Sequence, residues 1–394
     1  MKKTALALLF MTLLVSSVIF AQSPSCDESY IKAMTAPDMA QKYALLKDYV
    51  AKCKGSQYEN HAYAQLCLLP YQGKSTQETV TFGEKAIGLG GLDDLTQCQV
   101  YIIVSGLFIK SGQNLEKAKA YALQVIQIAN KNKTSGSSST TPEAWNQLVG
   151  AGYYAQAQAL EQEKDLKGAL NSYENSYKIL KNKQIANDIK KIGKSLYDFK
   201  FYAEAERAFQ IACTALKDFP SCTFYAKTLY KNGKKDEALK YFKQAYAQQK
   251  SGEIAYNIGI ILAGKAEKNP AIGPEAISYL LEASFLSPSN SEKAMSLAER
   301  LFFNGNSKLN YNEKVKEMNE KTKSLDQLTA RFNSKYQDKS EEDLSDDEKK
   351  EMKNLLAEIQ EEEKAIKKLE AETQAAVAEF QALIDQTKKK LGIT

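Results

Sequence analysis

The sequence predicts an all-α protein, in which a solenoid of short helical hairpins is followed by a long antiparallel helical hairpin or coiled coil. Three observations predict this fold. A spacing of small and aliphatic residues recurs between Gly106 and Pro288, alanines follow it at a regular distance, and the composition changes to Lys, Glu, Gln, Ala and Leu after Asn312. A recurring unit of about 34 residues that contains two helices is typical of a stacked array and not of a single globule.

Each recurring unit begins with a small residue that is followed three positions later by an aliphatic one. The five pairs are Gly106/Ile109, Ala157/Leu160, Gly193/Leu196, Ala226/Leu229 and Gly259/Leu262. An alanine follows each small residue, and four of these alanines lead a large residue at +4 and a small one at +7: Ala169/Tyr173/Ser176, Ala205/Phe209/Ala212, Ala238/Phe242/Ala245 and Ala276/Leu280/Ala283. Because small residues let two helices approach closely, each unit is predicted to pair a first helix, A, with a second helix, B.

This pattern resembles the tetratricopeptide repeat (TPR) family, whose helix A has a small residue at the position of Gly193 and Gly259 and whose helix B has Ala, an aromatic and Ala. The resemblance covers residues 144–288, with degenerate copies at 97–131, 58–90 and 28–54. It implies about six to seven units in a right-handed superhelix, with an inner groove of A helices that binds peptides or proteins. No unit has the family's Trp near the start of helix A, and only the last has its closing proline, Pro288.

The first 21 residues are predicted to be a secretory signal peptide. Lys2 and Lys3 precede an apolar run from Ala5 to Phe20, and Ala21 precedes the expected cleavage site. An uncleaved anchor is the alternative, but the run is short for a membrane span of about 20 residues. We expect an exported protein, periplasmic or alternatively extracellular, with no stable membrane span after signal cleavage.

Six cysteines in an exported chain favour disulfide bonds. Three pairs are candidates: Cys26–Cys53 at the two ends of the first hairpin, Cys213–Cys222 across a short turn between repeats, and Cys67–Cys98 on neighbouring A helices. The alternative is a set of buried free thiols that pack as small hydrophobic groups.

Composition divides the remaining chain into five segments. These are degenerate TPR-like hairpins at 22–130, a Ser/Thr-rich linker at 131–143, the TPR array at 144–288, a capping helix and turn at 289–310, and a coiled-coil hairpin at 311–394. Thr141 and Pro142 are typical of a helix start. The linker either lengthens a loop between stacked repeats or separates two independently moving halves.

The second helix of the C-terminal hairpin is predicted to begin after Ser345, which forms a capping box with Glu348. Its apolar residues follow heptad spacing from Met352 to Leu383. At 1.5 Å per residue it extends roughly 70 Å, against roughly 38 Å for the first helix. Its excess apolar stripe must contact either the repeats or another chain, so we predict a homo-oligomer interface within 346–391.

Residues for catalysis, metal binding and cofactor binding are sparse. His61 is the only histidine, the cysteines form no C-x-x-C pair, and the glycines form no phosphate-binding loop. The formal net charge is +5, and positive and negative residues are mixed along the chain. The sequence therefore has no concentrated positive charge of the kind that binds nucleic acid. We therefore predict no enzyme, no metal, no cofactor and no nucleic-acid partner.

The resemblance places candidate groove residues on the exposed side of the A helices: Tyr154, Gln158, Lys190, Lys194, Tyr197, Lys227 and Tyr230. Lysines interleaved with tyrosines suit an acidic or C-terminal peptide, although Lys194 stands where the family's carboxylate clamp has Asn. Ordinary solvated residues are the alternative. The predicted function is a non-enzymatic interaction scaffold or adaptor of the bacterial cell envelope. The alternative is a structural or oligomerising coiled-coil protein in which the repeats only pack.

Overall fold

The structure is a computed structural model that describes residues 25–135, 140–305 and 309–393. These residues form α-helices joined by short turns and two 3-10 segments, and they contain no β-strand. The chain divides into two compact units, Met1–Lys181 and Asn182–Thr394. The predicted signal peptide lies outside the described residues.

The first unit is a series of antiparallel helical hairpins. Its helices are α1 (Cys26–Met34), α2 (Met39–Lys52), α3 (Glu59–Leu68), α4 (Thr76–Leu89), α5 (Asp94–Ser111), α6 (Leu115–Ser135), α7 (Pro142–Gln162) and α8 (Leu166–Leu180). Each helix packs against the next one along the chain. In each hairpin, we call the odd-numbered helix the A helix and the even-numbered helix the B helix.

The small position of the α5–α6 hairpin differs from the prediction by one residue. Gly106 is exposed, and a Cβ added there would contact nothing within 4 Å. Ser105 is buried instead, and its hydroxyl donates a hydrogen bond of 2.9 Å to the carbonyl of Ala118 on α6. Serine fits this contact because it is small and its one hydroxyl is satisfied.

The predicted linker is shorter than its composition indicates. Helix α6 continues to Ser135, and α7 begins at Pro142, with the Thr141 hydroxyl accepting a hydrogen bond from the Ala144 amide. The helices on both sides share one buried cluster, which includes Val125, Ile126, Ala129, Trp145 and Val149. The division into compact units therefore falls at Lys181 and not in this loop.

The second unit continues the hairpins and adds a long helical pair. Its helices are α9 (Lys183–Asp198), α10 (Tyr202–Leu216), α11 (Phe219–Lys231), α12 (Lys235–Gln248), α13 (Gly252–Ala266), α14 (Gly273–Leu286), α15 (Ser291–Gly305), α16 (Tyr311–Tyr336) and α17 (Asp346–Leu391). A 3-10 segment, Pro270–Ile272, lies in the predicted insertion between α13 and α14.

The repeat pattern of the second unit is confirmed at its helix contacts. The alanine, large and small residues of each B helix are buried: Ala205, Phe209, Ala212, Ala238, Phe242, Ala245, Ala276, Leu280 and Ala283. A Cβ added to Gly193 would lie 2.9 Å from the Cβ of Ala208 on α10. The fold is thus an all-α solenoid of TPR-like hairpins, built on close contacts that larger side chains would prevent.

Helices α16 and α17 are antiparallel. Ion pairs join Lys314 to Glu372, at 2.8 Å, and Arg331 to Glu351, at 2.9 Å. The start of α16 therefore lies beside a late part of α17, and the end of α16 lies beside the start of α17. Ser345 and Glu348 form the predicted capping box of α17. Among described residues, no helix is both long enough and apolar enough to cross a membrane.

The part of α17 that extends beyond α16 packs on the last repeat helices. The ring of Phe380 lies 5.2 Å from that of Phe302 and 5.5 Å from that of Phe303, both on α15. Apolar seam residues of α17, such as Leu355, Leu369 and Ala376, are buried within this chain. Beyond α16, the stripe therefore contacts α14 and α15 of the same chain, and the homo-oligomer interface stays a prediction.

The structure contains two of the three candidate disulfides. Cys26 is bonded to Cys53, with Cα atoms 5.7 Å apart, and Cys213 is bonded to Cys222, with Cα atoms 4.7 Å apart. The third pair is wrong, because Cys67 and Cys98 are separate free thiols buried in two different clusters. Cys67 lies in the cluster that includes Leu66, and Cys98 lies in the cluster that includes Trp145.

Two thiols are expected to react with an alkylating agent in denatured protein without reductant, and six after reduction. In folded protein the two free thiols should react slowly. Burial raises the pKa of Cys67 to about 11 and that of Cys98 to about 12, which leaves little reactive thiolate. Intact-mass spectrometry measures the count, and six modified thiols without reductant would contradict both disulfides.

Candidate partner-binding face

Four of the predicted groove residues come together in the second unit. Lys190, Lys194 and Tyr197 lie on α9, and Lys227 lies on α11. The contacts among them and with Phe224 define what we call the A-helix face, the surface formed by α9, α11 and the start of α13.

Phe224 is the centre of the A-helix face, and the sequence analysis missed it. Its ring lies 5.6 Å from the ring of Tyr197 in an edge-on arrangement and stacks 5.0 Å from the ring of Phe209. The ammonium of Lys227 lies 5.0 Å from its centroid and that of Lys194 lies 5.7 Å away. An aromatic ring with cations over it is a preformed, partly exposed anchor.

Each lysine of the A-helix face has a carboxylate partner. Lys190 pairs with Asp218 at 3.0 Å, Lys194 with Asp198 at 2.5 Å, and Lys227 with Glu253 of α13 at 2.6 Å, where N–O distances are given. The sequence analysis treated the lysines as a positive surface for an acidic ligand. The three carboxylates balance the charge of the three lysines and leave an amphipathic aromatic surface, and binding of an acidic ligand there stays a prediction.

These pairs hold the side chains in place. Burial raises the pKa of the Asp218 carboxyl, but hydrogen bonds from Ser221 and Lys190 outweigh it, so that its pKa lies below the usual value. Burial, with the nearby charges of Tyr202, Glu253 and Asp198, raises the pKa of Tyr197. Both groups therefore keep one protonation state near neutral pH, with Asp218 ionised and Tyr197 protonated.

Tyr230 borders a cleft beside the A-helix face. The cleft has a volume of about 1050 Å³ and lies between α11, α13 and α15. Its apolar lining comes from Ile260, Leu297 and Leu301. Basic groups at its edge are Lys235, Lys265, Lys268 and Arg300, against the acidic Asp236 and Glu267, of which Asp236 is paired with Lys265. This cleft, unlike the region of Phe224, has an excess of positive charge.

The two remaining predicted groove residues belong to the first unit. Tyr154 and Gln158 lie on α7, and both are half-buried. The ring of Tyr154 is 5.8 Å from that of Tyr173 on α8, so it packs partly against its own B helix. Tyr154 and Gln158 therefore belong to a different compact unit from the A-helix face.

In the described part of the chain, the side chains relevant to a metal site are those of His, Cys, Asp and Glu. There, no group of three or more His, Cys, Asp or Glu side chains is placed to hold a metal ion. His61 lies on α3, and its Nδ1 is 2.8 Å from the side-chain oxygen of Asn60. The A-helix face offers rings, aliphatic surface and paired charges, which are groups for recognition.

No protein-family model matches the sequence, and no curated protein matches it. Among solved structures, the chain is similar to a tetratricopeptide repeat protein from Parabacteroides merdae, at 13% identity and a TM-score of 0.34, over 70% of this chain and 96% of that one. It is similar to the apo form of RapI at 14% identity and a TM-score of 0.35, over 79% and 99% of the two chains. A TPR2AB-domain:pHSP90 complex of yeast Sti1 matches at 12% identity and a TM-score of 0.26, over 62% and 99%. Within each of the two compact units, the described helices form antiparallel hairpins of the tetratricopeptide-repeat type.

Proposed function

We propose that this chain is a non-enzymatic interaction protein of the bacterial cell envelope, and that the A-helix face binds a segment of a partner protein. The observation that carries the proposal is the half-buried ring of Phe224, held by side chains from two neighbouring A helices. Rigid aromatic anchors surrounded by satisfied polar groups are typical of the residues that dominate protein interfaces.

The chemistry of the face and of the adjoining cleft indicates the kind of segment. Apolar side chains of the partner would pack on Phe224 and enter the cleft beside Tyr230, Ile260 and Leu297. Acidic side chains would lie near the basic edge of the cleft, where Lys268 and Arg300 stand. An extended segment that alternates apolar and acidic residues satisfies both surfaces without leaving a buried charge unpaired.

The second part of the proposal is export. It is supported by residues 1–21, in which two lysines are followed by an apolar run and then by the small residue Ala21. Protein recovered from the envelope fraction should begin at Gln22. An N-terminus at Met1 would contradict the proposed signal cleavage.

Lys227→Glu and Phe224→Ala should each lower the recovery of a partner cross-linked from envelope extract by about tenfold or more. The first change places two carboxylates together, at positions 227 and 253, and the second removes the central ring. Quantitative mass spectrometry of the captured proteins measures the recovery. The matched control is Lys240→Glu on α12, an exposed lysine with the same change of charge.

A protein that binds the A-helix face should be depleted from the captured proteins with both site variants, and its recovery should be unchanged with Lys240→Glu. Equal recovery with all three variants would contradict binding at this face. Circular dichroism of each variant checks that the helices are intact, because Phe224 also stacks on the buried ring of Phe209.

A further inference from the structure

The last turns of α17 lie on the last repeat, and a buried carboxylate joins them to it. Glu282 on α14 has a side chain that is 1% exposed, and its Oε1 lies 2.5 Å from the Nζ of Lys390. The hydroxyl of Tyr246 on α12 donates a second hydrogen bond to the same carboxylate. Lys390 is 108 residues from Glu282 along the chain, so the charge of α14 is balanced by the end of the C-terminal helix.

Apolar contacts of α17 become sparse after Phe380. We call residues 381–391 the strap. Thr387 occupies a buried seam position, where a heptad has an apolar residue, and its hydroxyl donates back to the carbonyl of Leu383 at 2.8 Å. The ammonium of Lys388 lies 5.7 Å from the ring centroid of Phe285. Of the two seam positions in the strap, one is the apolar Leu383 and the other is the polar Thr387.

A cavity of about 740 Å³ lies beside the strap. Its walls on α14 and α15 are apolar and include Ile277, Leu281, Leu301 and Phe302. The strap contributes Leu383, Gln386, Thr387 and Lys390 to the lining. Because the strap faces this cavity, its side chains on that side lack the dispersion contacts with protein atoms that a packed helix would make. A helix end with few buried apolar contacts opens at a low free-energy cost.

The Glu282–Lys390 pair is the charged contact of the strap with α14, beside the buried Thr387 and the contact of Lys388 with Phe285. With the strap in place and no cation, the Glu282 carboxylate would remain buried beside Tyr246 alone, which is strongly unfavourable. With the strap displaced, water reaches the carboxylate and the penalty disappears. Loss of the cation thus favours the displaced arrangement specifically, and loss of both charges does not.

We propose that the strap is a releasable closure of the apolar cavity at the end of the repeat array, and that the Glu282–Lys390 pair determines whether it is closed. In the closed arrangement the strap forms one wall of the cavity, opposite Ile277, Leu281 and Phe302. When released, it leaves these apolar side chains more exposed to water. This inference concerns α14, α15 and α17. The cavity shares Leu301 with the cleft beside Tyr230, but the Glu282–Lys390 pair lies outside the lining of that cleft, so the exchange test does not depend on the A-helix face.

The test compares a single and a double variant of the full chain by hydrogen–deuterium exchange. Lys390→Met should raise the exchange rate of strap amides by about tenfold or more, because it leaves Glu282 without its cation. Adding Glu282→Gln to that variant should return the rate to within about threefold of wild type, since no charge is then buried. Lys389→Met, at the exposed neighbouring residue, is the matched control and should leave the rate unchanged.

Two further readouts separate release from unfolding. Amides of α10 and α12 should exchange at the wild-type rate in every variant. Fluorescence of the probe 1-anilinonaphthalene-8-sulfonate should increase only with Lys390→Met, because that variant alone opens the apolar cavity. The proposal is overturned if Lys390→Met exchanges like Lys389→Met, or if the double variant exchanges as fast as Lys390→Met.

Discussion

Phe242→Ala is expected to lower the free energy of unfolding of the second unit by about 4 kcal/mol. The Phe242 side chain is 0% exposed on α12, and it lies between the buried alanines Ala238 and Ala245. Neither alanine has a side chain that can move into the vacated volume, so the substitution loses the apolar transfer energy and also leaves a cavity. Urea denaturation followed by far-ultraviolet circular dichroism measures the change.

Phe199→Ala is the matched control for this prediction. Phe199 belongs to the same unit and is 67% exposed at the end of α9, so the same chemical change should alter stability by no more than about 0.5 kcal/mol. Similar losses from the two variants would mean that Phe242 does not pack between the hairpins as described.

The hairpins of the array could be predicted because their packing restricts residue size. Two helices approach closely only where small side chains face each other, and an aromatic residue must then fill the gap to the next unit. Because these size requirements recur in every unit, the sequence shows a regular spacing of small and large residues, such as Ala238, Phe242 and Ala245. The capping box of Ser345 and Glu348 could be predicted for a similar reason, since both of its hydrogen bonds are local.

The candidate site was less predictable because its contacts join separate helices. Phe224 has no special position in the repeat, and it becomes central only where α9 and α11 lie side by side. The ion pair of Lys227 with Glu253 joins α11 to α13, and spacing along one helix does not reveal it. The sequence analysis interpreted the lysines as positive charges, whereas Asp218 and Glu253 on other elements pair with Lys190 and Lys227, and Asp198 on the same helix pairs with Lys194.

Two smaller errors also have physical causes. Ser105 and Gly106 are both small and adjacent, so spacing alone could not decide which one faces α6. A helix turns by about 100° per residue, and this rotation exposes Gly106 when Ser105 is buried. The polar linker indicated a solvated loop, but loop composition carries no information on whether the flanking helices share a core, as they do around Trp145.

The second prediction concerns Gly259 on α13. A Cβ added at this position would lie 2.6 Å from the Cγ and 2.7 Å from the Cδ2 of Leu280 on α14. Leu280 is fully buried and cannot move aside without displacing its own neighbours. Gly259→Leu is therefore expected to force α13 and α14 apart and to lower the free energy of unfolding by about 3 kcal/mol. Gly259→Ala should have a smaller effect in the same direction.

Gly264→Leu, on the same helix, is the control that isolates this clash. A Cβ at Gly264 would meet nothing within 4 Å, so that substitution should only gain helix propensity and raise stability by about 0.5–1 kcal/mol. The two variants change the same residue types in one helix, and they should shift the urea midpoint in opposite directions. A stabilising effect of Gly259→Leu would contradict the close contact of α13 with α14, on which the predicted role of the small position depends.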